Sequence, residues 1–433
     1  MPRSSKRAKV LKALKTIQST RRQNATLREL FNVENDEDSL DDEDWIEDNY
    51  DSLVDAAVDE VEARRYLFRS KTYRDRNETF VWQDIISDNS VRFSESEFHV
   101  HFRMNRNSYH ILLSLLEHKE TFYTVSKGRK QLPIPLQLLI FLRRIGSEGT
   151  EASYTKLAVF FGIGAGTVSV VVRRVQNAFL EHYDELVSWP SLEGKNLMKE
   201  QIKVEYGFQN CIGIIDGTII ILDEKPLKYG ESYYCRKNCY SLNVQVVCNH
   251  ECKIQYLYGG WPGSTHDNRA WRNCKLYTKR DEYFDDGEYL LSDSAYLTCR
   301  CIVQSFKNIP GQLRLSPAKE FFNSKLGSLR VKSEHCIGIL KNRFPALRRT
   351  NIQIKGKRSI KKVMDMFRCC AILHNILLDC NEHIPDEWLE TLSAEEYWIE
   401  EYDVSDESIR EENFDMREGV FDAILHFFEF GGA

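Results

Sequence analysis

Apolar positions along this chain follow two rhythms. Between residues 98 and about 195 they recur every three or four positions, the period of helices packed on one side; from Cys211 they run together or alternate, as strands do. Residues 98–119 (FHVHFRMNRNSYHILLSLLEHK) read as a single amphipathic helix, and Pro133 and Pro135 introduce another through LQLLIFLRRIG. The following stretch, SYTKLAVFFGIGAGTVSVVVRRVQNAFLEHY, fits two short helices. Ala158 is small enough for a close crossing, Gly162 marks the turn, and Val168 and Val171 face inward. This spacing suits a helix-turn-helix or an ordinary αα-hairpin, and Gly164 to Val172 offers few side chains able to read base edges.

Cys211 to Ile221, CIGIIDGTIII, has the character of a buried central strand, with one carboxylate, Asp216, set between Gly213 and Gly217. Residues 242–247 and 253–258 alternate as an antiparallel pair around the polar turn Asn249-His250-Glu251. In WPGSTHDNRAW, Ser264 or Thr265 is expected to cap a helix beginning near Asp267. A strand over 288–292 ends on Asp293. A helix over 329–349 carries Glu334, with Gly338 and Lys341 on the same face. The pattern predicts an α/β domain, a mixed sheet flanked by helices, behind an all-α N-terminal domain.

Length and charge refine this. At 433 residues the chain exceeds one ordinary core. Basic residues crowd the first 25 or so positions and acids the stretch 34–62, so 1–90 is expected to be a charged, largely unordered tail. The helical domain follows at 91–195, the catalytic domain at 205–380 and an acidic, aromatic segment at 381–433, suited to covering a surface or docking a partner. No run reaches the roughly 18 apolar residues of a membrane span, so no membrane association is expected. Twelve cysteines in a chain without a signal-like start are expected to be reduced thiols. Lys6-Arg7-Ala8-Lys9 has the composition of a nuclear address.

Asp216, Asp267, Asp293 and Glu334 are the candidate chemistry. Carboxylates gathered around an apolar sheet repel one another unless protonated or bridged by cations, and Mg²⁺ or Mn²⁺ is the natural bridge. A pair of such ions about 4 Å apart can activate water on one side of a phosphodiester and stabilise the leaving oxygen on the other. A strand-end Asp satisfied by backbone amides or by an Arg is the plainer reading of any one of them.

The segments GIIDGT, WPGSTHDNRAW, LLSDSAYL and SEHCIGILKNRFPALR, in this order, with MDMFRCCAILHNILL closing, resemble the catalytic domain of PIF/Harbinger transposases and the nucleases derived from them, a branch of the DDE superfamily. The similarity spans roughly Phe98 to Asp379. It implies an RNase H-like fold, a DDE triad of Asp216, Asp293 and Glu334, and Asp267 as a fourth ligand or supporting acid. It also implies divalent-metal-dependent DNA cleavage and targeting through a Myb-like partner protein; the location expected is the nucleus, with the cytoplasm as a second option, and the oligomeric state stays open, a dimer among the options. Two positions depart from the family pattern. His335-Cys336 follow the helix Glu where an Arg is common, and Ser294-Ala295-Tyr296-Leu297 stand where a Gly-containing turn is expected. A domesticated, non-cutting protein that binds DNA or a chromatin partner is the alternative.

Other constellations read more plainly. Cys235, Cys239, Cys248, His250 and Cys252 lack the spacing of zinc knuckles, as does Cys299-Arg300-Cys301. His266 could assist a leaving group or orient Asp267. Lys225, Lys228, Arg236 and Lys237, interleaved with Tyr229, Tyr233 and Tyr234, suit a nucleic-acid backbone, as do Lys341, Arg343, Arg348, Arg349, Lys355, Lys357 and Arg358.

Overall fold

The computed structural model describes residues 6–30, 52–62, 82–88, 90, 93–123, 131–307, 314–385 and 414–430. The chain divides into two compact units, Met1–Arg76 and Asn77–Ala433. In the first, the basic segment forms α1 (Lys6–Leu30) and part of the acidic one, 52–62, is also helical. The expectation of an unordered tail is corrected there, since opposite charges meet: Lys15 pairs with Glu62, and Arg22 lies 3.6 Å from Asp55. The rest of the basic-acidic expectation, 31–51, lies outside the described residues.

The second unit opens with helices. The single helix expected over 98–119 is two, α2 (Glu95–Phe102) and α3 (Arg106–Glu117). Arg103 takes a left-handed conformation, φ 67, and Asn105 caps the next helix by accepting from the Ser108 amide, so a local side-chain bond outcompetes the apolar periodicity. Helix α4 (Ile134–Ile145) starts between the two prolines as expected. Helices α5 (Tyr154–Phe160) and α6 (Ala165–Leu180) meet at a bend of 100° across Gly162, whose φ of 63 calls for glycine. Ala158, Val168 and Val171 are buried at their crossing. Helix α7 (Leu192–Tyr206) then stops at Gly207, also left-handed at φ 84, and the chain enters the sheet.

Strands β1 (Cys211–Leu222), β2 (Ser241–Cys248) and β3 (Ile254–Pro262) form an antiparallel meander. After helix α8 (Asp267–Arg272), β4 (Tyr289–Ser292) returns parallel to β1 on its other edge, followed by β5 (Ile302–Gln304). Helix α9 (Pro317–Arg343) crosses the sheet, the short β6 (Arg349–Thr350) pairs with the far end of β1, and α10 (Lys357–Asp379) closes the region. The order is β3-β2-β1-β4-β5, so β1 is central: the expected mixed sheet flanked by helices. Helix α9 begins well before the expected Leu329 and ends at Arg343, because Pro345 cannot continue it.

Both faces of the sheet are covered. Cys211, Ile214, Tyr289 and Leu291 pack with residues of α7 and α9, while Ile212, Ile215 and Leu290 pack with Trp271, Tyr296 and Ile302. The closing motif His374-Asn375 is structural: Asn375 donates to and accepts from the Ile254 backbone and also reaches Leu186 O, tying α10 to β3. In the acidic segment, α11 (Phe414–Phe430) lays Phe421, Ile424 and Phe428 over Phe306, Phe322 and Phe321, so this part acts as a cover.

Candidate active site

The site depends on the phase of β1. Gly213 sits at φ 152 beside a register shift between β1 and β4, and a Cβ there would lie 3.0 Å from Cys248 O. Beyond this irregularity alternation resumes: Ile214 faces the α9 side, Ile215 the opposite side, Asp216 the α9 side again and Gly217 the opposite. Asp216 is thus at the middle of a central strand, half-buried, where sequence left open whether it stood within or at the end of one.

Each acid comes from a different element. Asp216 has its Oδ1 on the Gly217 amide at 2.8 Å, and Ser333 Oγ of α9 lies 3.4 Å from Oδ2. Asp293 follows Ser292, which is paired with Ile215, so Asp293 at the end of β4 stands beside Asp216 within the adjacent parallel strand β1. Its Oδ1 accepts from the Ala295 amide at 2.9 Å, a tight turn that Ser294-Ala295-Tyr296 builds without the expected glycine. Asp267 opens α8. Its Oδ1 accepts from Asn243 Nδ2 at 2.6 Å, and Gln245 donates to its carbonyl at 2.6 Å. Gly217 makes room for it: a Cβ there would fall 2.6 Å from Asp267 Oδ1. The N-cap position of α8 belongs to His266, and no side chain caps it; the expected capping by Ser264 or Thr265 is corrected, because Ser264 Oγ is engaged by Ser232 O.

Glu334 differs. On the middle of α9 it meets Arg330, one turn earlier, at 2.5 Å. Burial alone would depress the Arg330 guanidinium, but Glu334, Asp216 and Asp293 together more than offset it and hold its pKa above the ordinary arginine value. Tyr296, fully buried, reports the other side of the cluster. Its hydroxyl is pushed well above the usual tyrosine range, first by burial and then by Asp267, Asp293 and Asp216. The four predicted acids therefore share one locality, three around Arg330 and three around Tyr296.

Whether this locality fits a divalent ion can be judged from the donors. All four are hard carboxylate oxygens, as Mg²⁺ or Mn²⁺ prefers. The Tyr296 hydroxyl and the Asn243 and Gln245 side-chain oxygens are buried around Asp267 with no hydrogen-bond partner among the described residues, the mark of a polar centre still to be satisfied. The side chains do not stand as a closed ligand set, however. Among the described residues no three His, Cys, Asp or Glu side chains are gathered closely enough to hold an ion, and Glu334 faces a guanidinium. The residue types and their shared field fit the ion; the present orientation of Glu334 does not.

Nearby candidates sort by geometry. His266 is exposed and its Nδ1 lies 3.3 Å from Arg236 Nη2, which places one basic residue of the expected nucleic-acid track beside Asp267. Lys228, Lys237, Arg348, Lys355, Lys357 and Arg358 are exposed as expected, whereas Lys225 pairs with Glu231 and Arg349 with Asp223. Arg343 is corrected: it is fully buried, and desolvation lowers it to about 10 against the pull of Glu382. All twelve cysteines are free thiols, and Cys336, one of the departures from the family pattern, donates to Cys252 O at 3.2 Å as a packed core residue. A cleft of about 710 Å³ between residues 149–159 and the far end of β1 is lined by Lys156, Asp223 and Arg349 and by none of the four acids. Sequence reading missed Arg330, Ser333, Tyr296, Asn243 and Gln245. The last two were the most visible, as amides alternating within the apolar run LNVQVV.

Comparison with known proteins agrees with this geometry. The family described as DDE superfamily endonuclease matches residues 215–375, which begin one residue before Asp216 and end at Asn375. Among curated proteins, Antagonist of Like Heterochromatin Protein 1 of Arabidopsis thaliana is 23% identical over 270 residues, 59% of this chain and 65% of that protein. An ALP1-like protein of the same plant is 24% identical over 305 residues, 66% of this chain and 71% of its own. The chain thus spans slightly under two thirds of the first relative's length. No solved structure matches. Asp216, Asp267, Asp293 and Glu334 all lie within residues 215–375, the part of the chain that matches the DDE superfamily endonuclease domain.

Proposed function

We infer that the protein is a metal-dependent DNA endonuclease of the Harbinger type, with Asp216, Asp293 and Glu334 as the ligand triad and Asp267 as a further ligand or supporting acid. The observation that carries this reading is that four carboxylates, from β1, α8, β4 and α9, act on one half-buried locality of the mixed sheet, three of them on Arg330 and three on Tyr296. Bound Mg²⁺ or Mn²⁺ would supply an activated water and charge stabilisation at a phosphodiester. The chain's own residues prepare the place. Ser333 and the Gly217 amide orient Asp216, the Ala295 amide fixes Asp293, and Asn243 with Gln245 fixes Asp267. Arg236, Lys228 and Lys237 line an approach for the DNA backbone, and the exposed face of α6, with Thr167, Arg173 and Asn177, is what a helix-turn-helix would present to a groove.

Asp216→Asn is expected to abolish Mn²⁺-dependent nicking of plasmid DNA, by about three orders of magnitude or more, since a central ligand loses its charge. Melting temperature and DNA retention should stay close to wild type; cleavage that persisted in the variant would sink the assignment. A second reading, a domesticated chromatin protein that no longer cuts, draws on the name of the first relative and on the ion-paired state of Glu334. DNA as a binding partner, a Myb-like targeting partner and a nuclear location belong to the proposal in either form, and DNA as substrate to the first alone.

A further inference from the structure

Arg330 is the cation that Glu334 contacts, where the preceding reading assigns Glu334 to a divalent ion. It stands mid-way along α9 and contacts Glu334 one turn later, with the two side chains 29% and 26% exposed. As a helix-stabilising pair this is poorly arranged, because an acid preceding a base by four residues is the favoured order and here the base comes first. Its surroundings explain it better. Ser333, on the same turn, is buried: its hydroxyl donates to Arg330 O at 2.8 Å and lies 3.4 Å from Asp216 Oδ2, which brings this turn of α9 close over β1. The guanidinium is thereby held in the combined field of Glu334, Asp216 and Asp293. One carboxylate in contact with a half-buried cation, and two more near enough to act on it through their field, make a compensated cluster.

We propose that Arg330 is the resident counter-ion of the acid cluster: it holds Glu334 until the guanidinium swings away, and only then can Glu334 join Asp216 and Asp293 around a divalent ion. The inference rests on the metal-dependent reading above. It adds a gate to it. Arginine's planar fork matches phosphate oxygens, so a DNA backbone arriving at the cluster offers the displaced guanidinium a new partner. Metal and DNA then bind with positive coupling that passes through one side chain, and the coupling is reciprocal.

The test is calorimetric titration of Mn²⁺ into the full-length wild type, Arg330→Gln and Arg330→Lys, each with and without a short DNA duplex. Without DNA, Arg330→Gln should bind Mn²⁺ roughly tenfold more tightly than wild type, because the competing charge is gone. Arg330→Lys, which keeps the charge, should stay near wild type. DNA should tighten Mn²⁺ binding in the wild type and have little effect in Arg330→Gln; the wild-type comparison stands even if a variant folds poorly. A purely structural Arg330 would move the result the other way, with Arg330→Gln binding metal equally or more weakly, and that outcome overturns the counter-ion role while leaving the metal site intact. If neither protein bound Mn²⁺, with or without DNA, both the nuclease reading and this inference would fall. Binding by Arg330→Gln alone would uphold the gate in its strictest form.

Discussion

Asp267 and Glu334 face the same locality and are held in opposite ways. Asp267 is fixed by neutral amides from β2, in a space that Gly217 keeps open, and its position needs no cation. Glu334 is held by the Arg330 guanidinium, so under the proposed metal-dependent function it would exchange one cation for another. Neutral donors build a permanent feature; a charged donor builds a replaceable one. The sheet side of the cluster is therefore preorganised and the helix side is conditional.

The comparison breaks most completely at Gly213, which sets the phase that puts Asp216 toward α9 and Gly217 toward Asp267. Gly213→Ala would place a methyl 3.0 Å from a backbone carbonyl of the neighbouring strand, in a conformation that L-residues rarely adopt. Strain and clash together should remove about 3 kcal/mol of stability in denaturant titration. A variant that unfolds like wild type would show that the bulge is not what positions the acids.

The helix side can be loosened by pH. Two residues after Glu334, Cys336 donates to Cys252 O, and His374 Nε2 meets the same carbonyl at 2.9 Å. Burial, then Arg343, pushes the His374 imidazole down to about 3, so the folded protein holds it neutral. Its contribution is fully present above the ordinary value near 6.5 and is lost as pH falls from there toward 3, at up to about 1.4 kcal/mol per pH unit. Between pH 7 and 5 the wild type should lose about 2 kcal/mol more than His374→Gln, which keeps a neutral donor and has nothing to titrate. Equal slopes would mean that His374 does not anchor this end of α9 in neutral form.

Much of this was legible beforehand, for reasons that differ by element. The run around Asp216 is apolar and β-branched enough to declare a central strand, and Asp293 and Asp267 stand where a strand ends and a helix begins. Arg330 was invisible because a base four residues from an acid occurs on any helix, and only the sheet beneath makes it a cation among three carboxylates. The break at Arg103 was hidden because left-handed residues are usually glycine, and here the Asn105 cap imposes the turn. Phe421, Ile424 and Phe428 were read as part of an acidic segment whose sequence could not name the surface they cover. The two departures after Asp293 and Glu334 have local structural roles, since a backbone amide makes the Asp293 turn and Cys336 packs inward.

The smallest expected effect sharpens the contrast most. Asn243→Ala removes the 2.6 Å bond to Asp267 Oδ1, but also an Asn oxygen that is buried without a partner, and water can reach half-buried Asp267. The net loss should be about 1 kcal/mol of stability, with weaker Mn²⁺ binding as Asp267 gains freedom. Because a neutral amide is lost, that deficit should hardly change as salt is raised. The Arg330→Gln effect, which removes a charge, should shrink over the same range as screening weakens the pair it replaces. Parallel salt titrations of the two variants thus separate a permanent support from a replaceable one. If the Asn243→Ala deficit tracked ionic strength as steeply as the Arg330→Gln gain, the distinction between the two sides of the cluster would collapse, and Asp267 would have to be regarded as another charge awaiting its cation.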